Sequence, residues 1–205
     1  MCIRDRFYSE FQGHLKAPTD GGAGAANLPS AWDITTGSND IVVAVIDTGA
    51  RDHVDLQSQF VGGSVAASGR DFISNVIQSR DGNGRDSDPT DLGDWTDGTY
   101  CSAGESSWHG MHVAGTIGAV TNNNLQVAGI AWQSKLLTAR VLGRCGGFTS
   151  DIADAMIWSA GGTVDGVANP NPARVLNLSL GGSGTCSITE QNAIDAALAL
   201  SLIHI

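Results

Sequence analysis

Two side chains of this sequence stand where proteins usually do chemistry. Asp47 follows the apolar run IVVAVI of residues 41–46 and opens the small-residue turn Asp47-Thr48-Gly49. A carboxylate at that junction can orient a histidine, and its competing role is a turn-forming Asp that bonds its own backbone. His109 opens HGMHVAGTIGA, residues 109–119, whose small residues would let a helix lie tightly against a sheet. A histidine at the start of such a helix, with a strand-end carboxylate upstream, fits a general base held by an orienting acid. His112, one turn on, reads as a structural residue turned to the core. A third constellation is acidic: Asp71, Asp81, Asn83, Asp86, Asp88, Asp91, Asp94 and Asp97. Within it, Asp81, Asn83, Asp86 and Asp88 alternate oxygen donors with glycine in the manner of a calcium loop, without the glutamate that closes an EF-hand. A solvated acidic loop is the other reading of the same residues.

The elements that must hold these residues follow from the apolar pattern. The continuous β-branched run before Asp47 predicts a central strand covered on both faces. KLLTARVL at 135–142 and ARVLNLSL at 173–180 predict two more strands, each ending in turn formers. Between them, TSDIADAMIWSA from Thr149 predicts a helix capped by Ser150, with Ile152, Met156 and Ile157 on one side. Ser187 and Glu190 have capping-box spacing ahead of a last helix that carries Ile194, Ala197 and Leu198. Strand, helix, strand, helix implies an α/β domain with a mostly parallel sheet, whose ligands bind at the carboxyl ends of the strands. Asp47 stands at one such end and Ser179-Leu180-Gly181 at another.

Composition narrows the partners. The chain has 205 residues, with 11 Lys and Arg against 21 Asp and Glu, for a net charge of -10. That balance repels nucleic-acid backbones and offers anionic lipid no basic face. No apolar run approaches the ~20 residues of a bilayer span, so neither nucleic acid nor membrane is expected as a partner.

The ends of the chain read as foreign. LSLIHI at 200–205 can be encoded by a DNA string whose reverse complement, shifted by one base, spells Met-Cys-Ile-Arg-Asp and the start of an Arg or Ser codon. Those are the opening residues, and a sequencing adaptor on both sides of a DNA fragment would produce this relation. Residues 1–6 and 200–205 are therefore expected to be adaptor scars, and 7–199 an internal piece of a longer reading frame. Excluding Cys2 leaves Cys101, Cys145 and Cys186. Cys101 and Cys145 lie in Gly- and Ser-rich loops and are favoured as a disulfide in an oxidising compartment, with three unrelated thiols as the alternative.

In this order, VAVIDTG, SSWHGMHVAGTIGA and VLNLSLGG resemble the motifs of the subtilisin-like serine proteases, the subtilases. The resemblance covers nearly all of residues 25–199. It is similar above all to secreted bacterial members with an Asp-rich insertion before the histidine and a disulfide across the loops of Cys101 and Cys145. It implies a three-layer α/β subtilisin-like fold, of which this chain is the N-terminal part, and a serine endopeptidase acting on protein or peptide substrates. Asp47 and His109 match the first two members of the Asp-His-Ser triad. Ser179, Leu180 and Gly181 match the strand edge that lines the primary specificity pocket, and Gly146 and Gly147 the opposing edge. Asp55, Asn123, Leu125 and Val127 match a structural calcium site, in a loop one residue longer than the commonest form. The nucleophile is expected in a later Gly-Thr-Ser motif, so the chain by itself is expected to be inactive. The parent is expected to be extracellular and monomeric, with a propeptide. At position 111 the family usually has Thr and this chain has Met111, which can fill the volume but cannot make a hydroxyl hydrogen bond.

Two other function classes remain open on sequence alone. One is a non-catalytic subtilase-like binding module whose serine has been replaced. The other is a metal-dependent hydrolase built on Asp47, His109 and His112, although the H-E-x-x-H arrangement and its glutamate base are absent.

Overall fold

A computed structural model describes residues 3–185 and 187–200 of the chain. Its frame is a sheet of four parallel strands in the order β2-β3-β1-β6: β1 Val42–Asp47, β2 Gly69–Asp71, β3 Lys135–Arg140 and β6 Val175–Asn177. A short antiparallel hairpin, β4 Thr163–Val164 with β5 Val167–Ala168, stands apart from it. β1 pairs on both sides, with Val42 opposite Lys135 and Val43 opposite Val175. Both of its faces are therefore covered, as the unbroken apolar run requires.

Alternation along the strands divides the core into two layers. Val43, Val45 and Leu136 turn to one face and pack with Ala114 of helix α1, His109–Gly118. Ala44, Ile46, Leu137 and Ala139 turn to the other and pack with Ala153, Ala155, Met156 and Trp158 of α2, Thr149–Ser159. Ala193 of α3, Ile188–Ala199, joins this second cluster. The result is the three-layer α/β arrangement with a mostly parallel sheet.

Details of the elements depart from the sequence reading. The predicted strand over 173–180 is paired only at Val175–Asn177, and beyond it the chain is irregular, with Leu178 and Leu180 packed on the core. α2 starts one residue before Ser150, at Thr149, with Phe148 at the cap position and no side-chain cap. The capping box of α3 forms as expected: Ser187 Oγ accepts from the Glu190 amide at 3.1 Å, and the Glu190 carboxylate accepts from the Ser187 amide at 3.0 Å. The buried face of α3 is made by Ala193 and Ala197, while Leu198 is partly exposed.

Residues 80–107 form a long excursion between β2 and α1, and several contacts tie it down. The Arg80 guanidinium lies 3.7 Å from the ring centroid of Trp95 and donates to the Trp95 carbonyl. Arg144 approaches both Trp95 and Tyr100. Cys101 and Cys145 are joined by a disulfide, with S–S 2.01 Å. The predicted leftover thiol, Cys186, lies outside the described residues. Residues 4–7 run along the 122–126 loop, where the Asp5 carboxylate accepts from the amides of Asn122 and Asn123.

Candidate active site

The carboxyl end of β1 presents Asp47 fully buried. The first residue of α1 presents His109, whose side chain is 45% exposed. The two meet: His109 Nδ1 lies 2.8 Å from Asp47 Oδ1 and 2.9 Å from Oδ2. Because an ionised carboxylate only accepts, this geometry holds the imidazole with its proton on Nδ1 and leaves Nε2 to take a proton from a substrate or nucleophile. Asp47 Oδ1 also accepts from the Thr48 amide at 2.7 Å, which fixes the carboxylate as well as the ring.

Close approach of backbone to backbone makes this meeting possible. A Cβ on Gly110 would stand 2.2 Å from the Gly49 carbonyl oxygen, so helix α1 can begin against the β1 turn only with glycine there. Gly49 itself has φ +97, and a Cβ on it would lie 2.4 Å from the Pro89 oxygen. Thr48 stitches the same junction: its Oγ1 accepts from the Gly110 amide at 3.0 Å and donates to Asp91 Oδ2 at 2.8 Å. Burial pushes the Asp91 carboxyl above its ordinary range, against the hydrogen bonds from the Gly93 amide and the Thr48 hydroxyl. Sequence reasoning missed the roles of Thr48 and Asp91. Asp91 looks like any other member of the acidic stretch, and only its burial sets it apart.

Beside Asp47, its strand neighbour Arg140 is also buried. It pairs with Asp71 at 2.5 Å and Asp81 at 2.8 Å and donates to the Ser79 carbonyl. Burial pushes Asp71 up to about 7 even though the Arg140 charge opposes the shift. Asp81 is less deeply placed, and hydrogen bonds from Ser79 and Asn83 hold its carboxyl below the ordinary range although burial acts the other way.

The other predicted site residues fall into separate groups. β3 and β6 are the two neighbours of β1, so their carboxyl-end extensions run out on either side of Asp47. One extension holds Gly146 and Gly147 in a tight turn closed by the mutual Gly143–Gly146 hydrogen bonds. The other holds Ser179 and Gly181 exposed, with Leu180 between them packed on the core and Ser179 Oγ accepting from the Asn177 side-chain amide at 2.8 Å. His112 is a correction: it lies on the exposed face of α1, because the core-facing positions of this helix are Gly110, Ala114 and Gly118. Met111 packs against the β1 face that carries Val43 and Val45.

The two oxygen-rich sets are each assembled. Asp55, buried, accepts from the Asn123 side-chain amide at 2.6 Å and from the Val127 amide at 3.3 Å, and Asn123 Oδ1 accepts from the Leu125 amide at 2.8 Å. Asp81, Asn83, Asp86 and Asp88, with Thr90 and Leu92, line a concavity of about 260 Å³. Among the described residues, no three His, Cys, Asp or Glu side chains converge on one metal position.

Comparison with known proteins gives one consistent result. A model described as the subtilase family matches residues 38–205. The chain is similar to an extracellular protease of Xanthomonas campestris pv. campestris, 55% identical over 177 residues that cover 84% of this chain and 29% of that protein. It is also similar to an extracellular basic protease of Dichelobacter nodosus, 50% identical over 173 residues, covering 80% of this chain and 28% of the other. Among solved structures, a protease of Pseudoalteromonas arctica superposes with a TM-score of 0.87 and 48% identity, over 99% of this chain and 57% of that one. The chain thus spans under a third of the length of these curated relatives. No helix among the described residues is long and apolar enough to cross a membrane.

Proposed function

The chain belongs to the subtilase family, and from that premise we propose that it forms the Asp-His half of the catalytic centre of a secreted serine endopeptidase. The observation that carries this reading is the Asp47–His109 contact at 2.8 Å, at the carboxyl end of the central strand. In the proposed reaction a serine Oγ attacks the peptide carbonyl while His109 Nε2 takes its proton. The imidazolium then returns that proton to the departing amine, and water repeats the cycle on the acyl-enzyme. Asp47 keeps the tautomer and stabilises the imidazolium. The serine and an oxyanion-donating asparagine would be supplied by other parts of the parent protein's catalytic domain. The edges at Ser179-Leu180-Gly181 and Gly146-Gly147 would pair with the substrate backbone from two sides, as strand addition does elsewhere. The extracellular relatives and the disulfide support secretion of the parent, which we further propose to be monomeric and made with a propeptide.

The test uses the full-length protein. A serine-directed phosphonate should abolish its hydrolysis of casein, while a zinc chelator should leave it intact. The reverse pattern would sink the serine mechanism, and no hydrolysis at all would favour a binding module.

We further propose calcium as a structural ion at Asp55, Asn123, Leu125 and Val127, and at Asp81, Asn83, Asp86 and Asp88. The residue types support it, since Asp and Asn side chains and main-chain carbonyls can offer oxygen to a hard cation. Asp81 would share its charge with Arg140. An ion that binds only the folded chain, at about a hundredfold over its dissociation constant, adds about 2.7 kcal/mol. Calcium should therefore raise the melting temperature by roughly 5–10 °C in a domain of this size. A flat titration would return both loops to the solvated reading.

A further inference from the structure

The residue before His109 carries an unusual backbone. Trp108 has φ 51 and ψ 30, the left-handed region, at the cap position of α1. Of the non-glycine residues with positive φ among those described, Asn27, Asn122, Asn124 and Asp165 are of the types that tolerate it, while Arg80, Cys145 and Trp108 are not, and of these Trp108 alone adjoins His109 and carries a bulky aromatic ring. Such a conformation persists only where the surroundings over-determine it, and such residues cluster at functional sites.

The surroundings here can be named. The Arg51 guanidinium sits 5.8 Å from the Trp108 ring centroid, and its Nη1 donates to the Asp91 carbonyl at 3.1 Å. The edge of the indole comes over Gly93, where a Cβ would stand 3.5 Å from Trp108 Cη2. Asp91 and Gly93 belong to the segment whose Asp91 carboxylate holds Thr48, and Thr48 in turn holds the Gly110 amide. The indole thus lies against Arg51 and Gly93, both of which donate to Asp91. Trp108 itself caps no amide of the helix; Ser107 Oγ accepts from the His109 amide at 3.3 Å and Thr48 Oγ1 from the Gly110 amide.

We propose that Trp108 is a positioning residue for His109. The Arg51 cation over its ring, with Gly93 beneath its edge, holds the left-handed backbone that starts α1 and aims the imidazole at Asp47. Trp108 touches neither substrate nor reacting atom in this role; it acts through the backbone it shares with His109. The link to turnover rests on the serine-protease reading, while the link to the Asp47–His109 hydrogen bond does not.

The test separates the two. In the full-length protein, NMR of the His109 Nδ1–H shared with Asp47 reads the hydrogen bond directly, through its downfield resonance and its exchange with water. Arg51→Gln and Trp108→Ala should each speed that exchange by about tenfold or broaden the resonance away. Trp108→Gly adopts positive φ freely and should fall between Trp108→Ala and the parent. Circular dichroism checks folding, and should Trp108→Ala fail it, the surface change Arg51→Gln carries the test. In the full-length protein, Arg51→Gln should lower kcat about tenfold with KM unchanged. Parental exchange in Arg51→Gln, in folded protein, overturns the proposal whatever the enzyme assay shows. Altered exchange in a protein without hydrolytic activity would instead uphold it and remove the reading of the reaction.

Discussion

Asp47→Asn in the full-length protein is expected to lower kcat on a chromogenic peptide by about 10⁴-fold with little change in KM. The argument is geometric. Both Asp47 oxygens face His109 Nδ1, and one also takes the Thr48 amide. An asparagine keeps the shape and the burial but can turn its NH₂ toward the ring. The imidazole would then be held with its proton on Nε2, the nitrogen that must accept the nucleophile's proton. The imidazolium formed during turnover would also face a neutral amide in a site where Asp47 is fully buried. His109→Ala should cost more, about 10⁶-fold, and the double variant little beyond that, because residues acting as a unit are not additive. Steady-state kinetics with a melting curve as folding control decide it. Activity within tenfold of the parent in folded Asp47→Asn would remove the triad role.

Cys145→Ser should produce the largest loss of stability among single surface changes, and only in oxidising buffer. The Cys101–Cys145 bridge closes a loop with a sequence separation of 44. On the chain-entropy account, that removes about 4 kcal/mol of freedom from the unfolded state. In a domain of this size the melting temperature should drop by roughly 10 °C. With a strong reductant the parent and the variant should melt together. The excursion would not come fully adrift, since Arg80 and Arg144 still hold Trp95. The turn bearing Gly146 and Gly147 would nevertheless lose its covalent tie. Identical melting curves with and without reductant would show that the bridge does not constrain the unfolded chain as supposed.

How far the sequence disclosed this arrangement depends on the kind of signal. The run at 41–46 is apolar without interruption, and only a strand covered on both sides satisfies it, so β1 and its neighbours were readable. Asp47 and His109 were legible because each sits where an element changes type. Strand pairing beyond Asn177 was not, since LSL reads the same whether it is paired or merely packed against the core through Leu180. His112 misled because, in a helix this rich in glycine and alanine, the buried stripe is made by Gly110, Ala114 and Gly118, residues too small to announce themselves. Asp91 was hidden for the opposite reason, lying among many similar carboxylates. Which of them leaves the solvent is decided by the path of the excursion, and local sequence does not encode that path. The left-handed turn at Trp108 could not be read from a residue type that ordinarily avoids it.

The pairing scheme of the sheet also bears on time. β1 lies early in the chain, yet each of its partners lies far downstream, β3 at 135–140 and β6 at 175–177. Every ladder hydrogen bond along β1 must wait for closure of the loops that run from residue 47 to 135 and to 175, and parallel pairings of such separation form slowly. Until then the run at 41–46 is an unpaired apolar strand, open to association with other chains. The rate-determining event in maturation would accordingly be the docking of β1 between its two late partners, and anything that shields that strand in the interval would raise the yield of folded protein.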